Sequence, residues 1–395
     1  MIMSKDSFDD DEKPLKILFI STNHWVPWGG SEVLWSEVAI ALKNKKPNAE
    51  LFASVKNWQP VPKQIDRLSK NNIHIIYDKA ERLSFGKRMF NRLKLGTKKF
   101  RTKSAFEKLQ EYNPNLVVFS MGDHNEGGGV ISSFRKANIP YVMLIQLAKE
   151  AQIIQDEYAL PILENYHGAK KVYFVSGQNK KILETQFATK LTNAEVISNP
   201  FPLAPALNLP SFPEQKDGYT MAFVASLSAN HKGHDLLFEV LAQKKWRERN
   251  LTINLYGHGP HDNYLRQLKE YYCLENVTFA GFNSSLNDIW SNNQAMILCS
   301  RYEGQSLAML EAMSYNRMAV VTDMGDAREL IDDGINGFIA DAPTVKHIDE
   351  ALERAWAMRN DWEQMGKLAG ERLKSSKPAD PIQTLVDKLL HLTSH

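Results

Sequence analysis

The stretch RYEGQSLAMLEAMSYNRMAVVTDMGDARELIDDGINGFIAD, Arg301 to Asp341, decides how this chain is read. It sets Glu303 and Glu311 with seven residues between them around a glycine-containing helix start. With Glu303 just before the helix and Glu311 two turns inside it, the carboxylates would lie on the order of 10–12 Å apart at 1.5 Å rise per residue. That is the reach from the ribose of a nucleotide sugar, across its diphosphate, to the sugar ring. Gly304, Gln305, Ser306 and Leu307 would offer the unpaired N–H groups of a helix start, where the backbone dipole favours an anion such as a diphosphate. The plainer alternative is that Glu303 caps the helix and Glu311 is one more surface glutamate.

Working outward, an apolar run at 295–299 precedes this segment and another at 318–322 follows the helix, so the chemistry falls at the carboxyl end of a strand, where open parallel sheets bind ligands. Further runs of strand length occur at 16–21, 51–55, 73–77, 116–120, 141–145, 172–176 and 195–198, then at 220–225, 252–256, 277–280 and 337–340. Short apolar strands alternating with helical stretches predict parallel sheets covered on both faces, an α/β chain of two doubly wound domains. Five prolines between Pro200 and Pro213 interrupt any regular element. The expected organisation is a disordered tail at 1–14, an N-terminal domain at 15–200, a linker at 201–218, a C-terminal domain at 219–377 and a final helical segment at 378–395.

The segment around SRYEG, the E-x7-E pair, LEAM and DDGINGFIAD resembles the donor-binding signature of retaining glycosyltransferases of family 4, among the glycosyl transferases group 1. The resemblance implies the GT-B fold, two Rossmann-like domains facing a cleft, with the last helix crossing back to the N-terminal domain. It implies a metal-independent transfer, without a cofactor, from a UDP- or GDP-linked sugar to a glycan, lipid-linked or other hydroxyl acceptor. Glu311 would bind ribose, Glu303 the transferred sugar, and Lys232 with the helix start the diphosphate.

The first strand is followed by Trp25, Trp28 and then Gly29-Gly30-Ser31, with Ser31 the expected N-cap of a helix. Paired glycines at such a turn allow close backbone approach or simply a tight turn. Beside the C-terminal motif, Gly29 and Gly30 resemble the family's glycine loop facing the donor phosphates. Trp25 and Trp28 are candidates for stacking on an acceptor sugar, while Trp35 reads as core.

MAFVASLSANHKGHDLL, 221–237, resembles the diphosphate-binding turn, with Lys232 present but Ser226 where an arginine is expected. Either the diphosphate is held more weakly or another cation, such as Arg301 or His231, substitutes. Tyr256 and Gly257 resemble the turn near the nucleotide, and Phe282 the border of its base, although Phe282 reads equally well as a core aromatic. Asp123 and His124 follow a strand and are candidates for the acceptor or, for His124, for catalysis; alone, Asp123 is a common turn former. Gln146 stands where the family carries a histidine, able to hydrogen-bond a sugar but not to carry a proton.

A net charge of +2 from 48 basic and 46 acidic residues implies no nucleic-acid partner. Two cysteines form no disulfide framework, and no cluster has metal-ligand spacing. The acidic N-terminus lacks the character of a signal peptide, so a cytoplasmic protein is expected. Residues 79–108 carry eleven Lys or Arg against Glu81 and Glu107, an amphipathic stretch suited to the anionic inner membrane face or to a solvated helix face. A nucleotide-sugar hydrolase or epimerase, or a non-catalytic binder, are the alternatives; Ser226 and Gln146 are departures that favour the last.

Overall fold

The computed structural model describes residues 14–24, 27–78, 104–201, 209–214, 218–378 and 380–394. The N-terminal tail, Trp25, most of the linker and the basic stretch through residue 103 lie outside the described residues.

Among the described residues the N-terminal half forms a seven-stranded parallel sheet from β1 (Lys16–Ser21), β2 (Glu50–Lys56), β3 (Ile73–Asp78), β4 (Leu116–Met121), β5 (Tyr141–Ile145), β6 (Lys171–Phe174) and β7 (Ala194–Val196), in the order β3-β2-β1-β4-β5-β6-β7. The C-terminal half forms a six-stranded sheet from β8 (Tyr219–Val224), β9 (Leu251–Tyr256), β10 (Val277–Gly281), β11 (Ala295–Leu298), β12 (Met318–Thr322) and β13 (Gly337–Ala340), ordered β10-β9-β8-β11-β12-β13. Every apolar run singled out above is a strand. Their composition explains why: residues such as Val117 and Val118 on β4 are both fully buried, one on each face, because helices cover both sides of the sheet.

Both sheets reverse direction of growth between their first and fourth strands, β1 beside β4 and β8 beside β11. Such a switch point opens a crevice at the carboxyl ends of the strands. Four strands stop earlier than their apolar runs, β8 and β11 by one residue and β6 and β7 by two. β6 ends at Phe174 because Ser176 leaves the sheet to cap the helix Gly177–Gln186, its Oγ accepting the Asn179 N–H at 3.2 Å. β7 ends at Val196, and the chain beyond it turns to meet the other domain, where the Asn199 N–H donates to Gln305 Oε1 at 2.7 Å.

The last helix, Pro381–Thr393, buries Leu385, Val386 and Leu389 in the core of the N-terminal half, against helix Gly30–Lys45. Lys45 and Asp387 pair at 2.6 Å, and Lys388 pairs with Glu195. No described helix is long and apolar enough to cross a membrane.

Candidate functional site

A cleft of about 1190 Å³, measured out to open solvent, runs between the carboxyl edges of the two sheets. It gathers Gly29, Gly30, Gln146, Lys232, Glu303 and Leu307 from four separate strand-to-helix turns. A Cβ at Gly30 would lie 3.5 Å from Leu307 Cδ1, so the glycine loop faces the start of helix Leu307–Ser314 across the gap. At the floor, a Cβ on Gly304 would lie 1.7 Å from the Gln146 carbonyl oxygen. Only glycine lets the two backbones approach that closely.

Glu303 is an ion-pair partner as well as a loop residue. Its Oε1 accepts from Lys232 Nζ at 2.6 Å and from Ser300 Oγ at 2.7 Å, and both side chains of the pair are largely buried. Burial pushes the Glu303 carboxyl up, but the Lys232 charge and these hydrogen bonds outweigh it and hold it below the usual carboxylate range. Lys232 is delivered there by the short turn Ala229–Lys232, stopped by Gly233 at φ 71°. A Cβ on Gly233 would lie 1.9 Å from the Cys299 carbonyl oxygen, which pins this turn to the end of β11.

Glu311 lies in the helix as expected, yet its carboxylate has no hydrogen-bond partner among the described residues, and burial alone pushes its pKa up to about 7. The helix start is narrower than the sequence suggests. Ser306 is the N-cap, its Oγ accepting the Met309 N–H at 3.4 Å, while the Gln305 side-chain Nε2 and the Ser306 N–H both turn to Asp326, at 2.9 and 3.4 Å. Within the helix's first turn the amides of Leu307 and Ala308 have no intrahelical partner and are free backbone donors.

Several expectations are corrected. Ser31 is not the N-cap: the helix begins at Gly30 with Gly29 as cap and no side-chain bond, and Ser31 sits inside the first turn. His124 is 0% exposed, with Nε2 2.9 Å from Gln186 Oε1 and Nδ1 3.0 Å from Asp123 Oδ1, so it has no surface to offer an acceptor. Asp123 is spent on the same network, its other oxygen 2.7 Å from Lys149. Neither Arg301 nor His231 replaces the expected arginine. Arg301 forks onto Asp235 at 2.9 and 2.7 Å, and burial together with the Lys232 charge lowers His231 to about 4, which leaves it neutral. Phe282 is exposed, stacked 5.9 Å from His258, and is no part of the core.

Ser226 is exposed on the cleft wall, and Gly257 adopts φ +148° against the Ala225 carbonyl. Tyr256 ends β9, its hydroxyl accepting from Asn293 Nδ2 at 3.0 Å. Trp28 both borders the cleft and packs 6.2 Å from the buried Trp35. Gln146 is nearly buried in the cleft wall, its Oε1 accepting from Asn199 Nδ2 at 2.9 Å and its Nε2 unpartnered. No group of three or more potential metal ligands gathers among the described residues.

The sequence reading missed Glu32. It is buried beneath the glycine loop, accepting from Ser21 Oγ at 3.0 Å and Trp35 Nε1 at 2.8 Å, and burial raises its pKa. A glutamate in a first helical turn reads as a dipole partner at the surface. The available signal was the tryptophan three residues on, whose N–H needs a partner once buried.

Residues 218–357 match the family model of glycosyl transferases group 1. The chain is 22% identical over 293 residues to the UDP-N-acetylglucosamine–peptide N-acetylglucosaminyltransferase GtfA subunit of Streptococcus pneumoniae, covering 72% of this chain and 55% of that protein. It is 30% identical over 129 residues to the alpha-D-kanosaminyltransferase of Streptomyces kanamyceticus, covering 32% of this chain and 33% of the relative. It therefore spans about half the length of the first and a third of the second. Among solved structures, a mutant of S. aureus TarM in complex with fondaparinux, alpha-GlcNAc-glycerol and UDP superposes with a TM-score of 0.69 at 14% identity, over 96% of this chain and 100% of that one. HepE of Anabaena in complex with UDP does so with a TM-score of 0.69 at 16% identity, over 95% and 100%. The fold is GT-B.

Proposed function

We propose that this chain is a retaining glycosyltransferase that takes a nucleoside-diphosphate sugar on its C-terminal domain and passes the sugar to a hydroxyl acceptor held by the N-terminal domain. The observation that carries this reading is the convergence of the Lys232–Glu303 pair with the open start of helix Leu307–Ser314, opposite Gly29 and Gly30, in one interdomain cleft. An incoming diphosphate meets the Lys232 ammonium and the Leu307 and Ala308 amides. As it takes Lys232, Glu303 is freed to accept hydrogen bonds from the sugar, and Glu311, which starts without a partner, accepts from the ribose. The acceptor hydroxyl attacks the anomeric carbon from the face the diphosphate leaves, and a leaving phosphate oxygen takes its proton. The chain's share is positioning and charge stabilisation, and the step needs no metal. One relative named for UDP-N-acetylglucosamine, and solved neighbours in complex with UDP, support a UDP donor, and the burial of His124 removes one acid–base candidate that a hydrolase would need.

The test is nucleotide release from a panel of UDP- and GDP-sugars with and without candidate acceptors, with the anomeric configuration of the product read by NMR. Release that ignores the acceptor supports a hydrolase instead, and an inverted product overturns retention.

Glu311→Gln is expected to weaken UDP or GDP binding by about 1.5–3 kcal/mol through loss of a charge-assisted bond. It should also stabilise the unliganded chain at high pH. The carboxyl titrates near pH 7 when folded and near its ordinary 4.5 when unfolded, so its contribution to stability is full below pH 4.5 and is lost as pH rises through 7. The variant should melt higher than wild type at pH 8 and level with it at pH 4. Equal nucleotide affinity in calorimetry removes Glu311 from the site.

Ser226→Arg places a permanent charge where neither Arg301 nor His231 supplies one, and should tighten UDP or GDP binding by about 1.5–3 kcal/mol, the worth of a charged hydrogen bond. Affinity that falls or stays level means the diphosphate lies away from this turn.

A further inference from the structure

The segment from Asp323 to Glu329 touches three parts of the molecule at once. Asp326, 0% exposed, holds the donor loop from behind, accepting from Gln305 Nε2 at 2.9 Å and from the Ser306 N–H at 3.4 Å. The same carboxylate pairs at 3.1 Å with Lys377, itself buried, which ends the helix Trp362–Ser376 just before the chain crosses back to the N-terminal domain. Three residues on, Glu329 Oε1 accepts the Gly177 N–H at 2.6 Å at the start of an N-terminal-domain helix, and its other oxygen lies 3.8 Å from Lys377. Gln305 closes the circuit, because its Oε1 accepts the Asn199 N–H from the N-terminal side while its Nε2 donates to Asp326.

We infer that Asp326 is a positioning residue for the donor site, holding the Gln305–Ser306 cap so that helix Leu307–Ser314 presents its free amides to the cleft, with Lys377 making that geometry depend on the docking of the crossing helix. This rests on the donor-site reading above. Burying a carboxylate and an ammonium is costly, and an apolar pair of similar size would pack at least as well. What the pair adds is direction: burial pushes the Asp326 carboxyl up while the Lys377 ammonium and the Gln305 bond oppose that rise, and the two oxygens so held fix the Gln305 side-chain amide and the Ser306 N–H in place. A slack cap would let the Leu307 and Ala308 amides drift from the diphosphate, and misplacement of this kind is what a pre-organised anion site cannot tolerate.

The test uses the full chain and compares wild type with Gln305→Met, Lys377→Arg and the double variant Asp326→Asn/Lys377→Met, which removes both charges together so that neither is left buried alone. UDP and GDP are titrated by calorimetry, and hydrogen–deuterium exchange is followed over residues 303–310. Gln305→Met should weaken the nucleotide that wild type binds by at least tenfold and speed exchange across the helix start, with a lower melting midpoint because the buried Asn199 N–H and an Asp326 oxygen lose their partner. The double variant should fold and show the same two losses, whereas Lys377→Arg should retain wild-type affinity. Faster exchange with unchanged nucleotide affinity overturns the inference, leaving Asp326 a purely structural tie, and so does wild-type behaviour in both measurements. Wild type that binds neither UDP nor GDP overturns the donor-site reading itself, and this inference with it.

Discussion

Lys232→Ala is expected to lower sugar transfer by at least about 10²-fold, the scale on which loss of one pre-organised charge at a developing anion is felt. The same change should weaken UDP or GDP binding by about 1.5–3 kcal/mol. Lys232 is the cation that the described cleft brings beside the helix start, and with Ser226 in the expected arginine's place the loss has no nearby replacement. A second consequence follows from its pairing at 2.6 Å: without the ammonium, the buried Glu303 carboxyl keeps only its Ser300 bond and its pKa rises. The binding defect should therefore be larger at the higher of two pH values, because ionisation of the unpaired Glu303 sets it against the diphosphate. Titration of nucleotide into the folded variant at both pH values checks this, and full affinity at both would move the diphosphate site away from this turn.

Glu303→Ala is expected to lower turnover by at least about 10²-fold as well, through loss of the group that orients the sugar as charge develops at the anomeric carbon. Its effect on nucleotide binding should have the opposite sign. In the unliganded chain Glu303 competes for Lys232, so removing it frees the ammonium for phosphate, and UDP or GDP should bind as tightly as in wild type or more so. Turnover and affinity moving in opposite directions separate a sugar-binding glutamate from a capping residue. A variant with wild-type rates would leave Glu303 only its bonds to Lys232 and Ser300.

Much of the proposed donor half of the candidate site was legible because it is local. Glu303, Gly304, Ser306, Leu307 and Glu311 share one strand-loop-helix unit, and a helix start fixes where its free amides face once its N-cap is known. The proposed acceptor half was not local. Asp123 and His124 were placed at a sheet edge correctly, but whether a residue at that edge points into the cleft or under it depends on what packs over it. Gln186 and Tyr166 arrive there from other elements, and the Tyr166 hydroxyl donates to the His124 carbonyl at 2.6 Å. Ser31 missed its role because a glycine one residue earlier can open the helix without any side-chain cap.

The sequence by itself determined the thirteen strands among the described residues, the two-domain α/β class and the position of the E-x7-E unit, because hydrophobic periodicity and turn chemistry act between residues close in the chain. The tertiary structure alone decided the pairing of charges. Lys232 and Glu303 are 71 residues apart, Gln305 and Asn199 are 106 apart, and Lys377 meets Asp326 only because the crossing helix brings the chain back beside the donor loop. Composition shows that such cations and carboxylates exist in nearly equal number. Which of them are buried together, and so which are already engaged when a diphosphate arrives, is set by long-range packing, since desolvation and Coulomb attraction depend on distance in space and carry no trace in the order of residues.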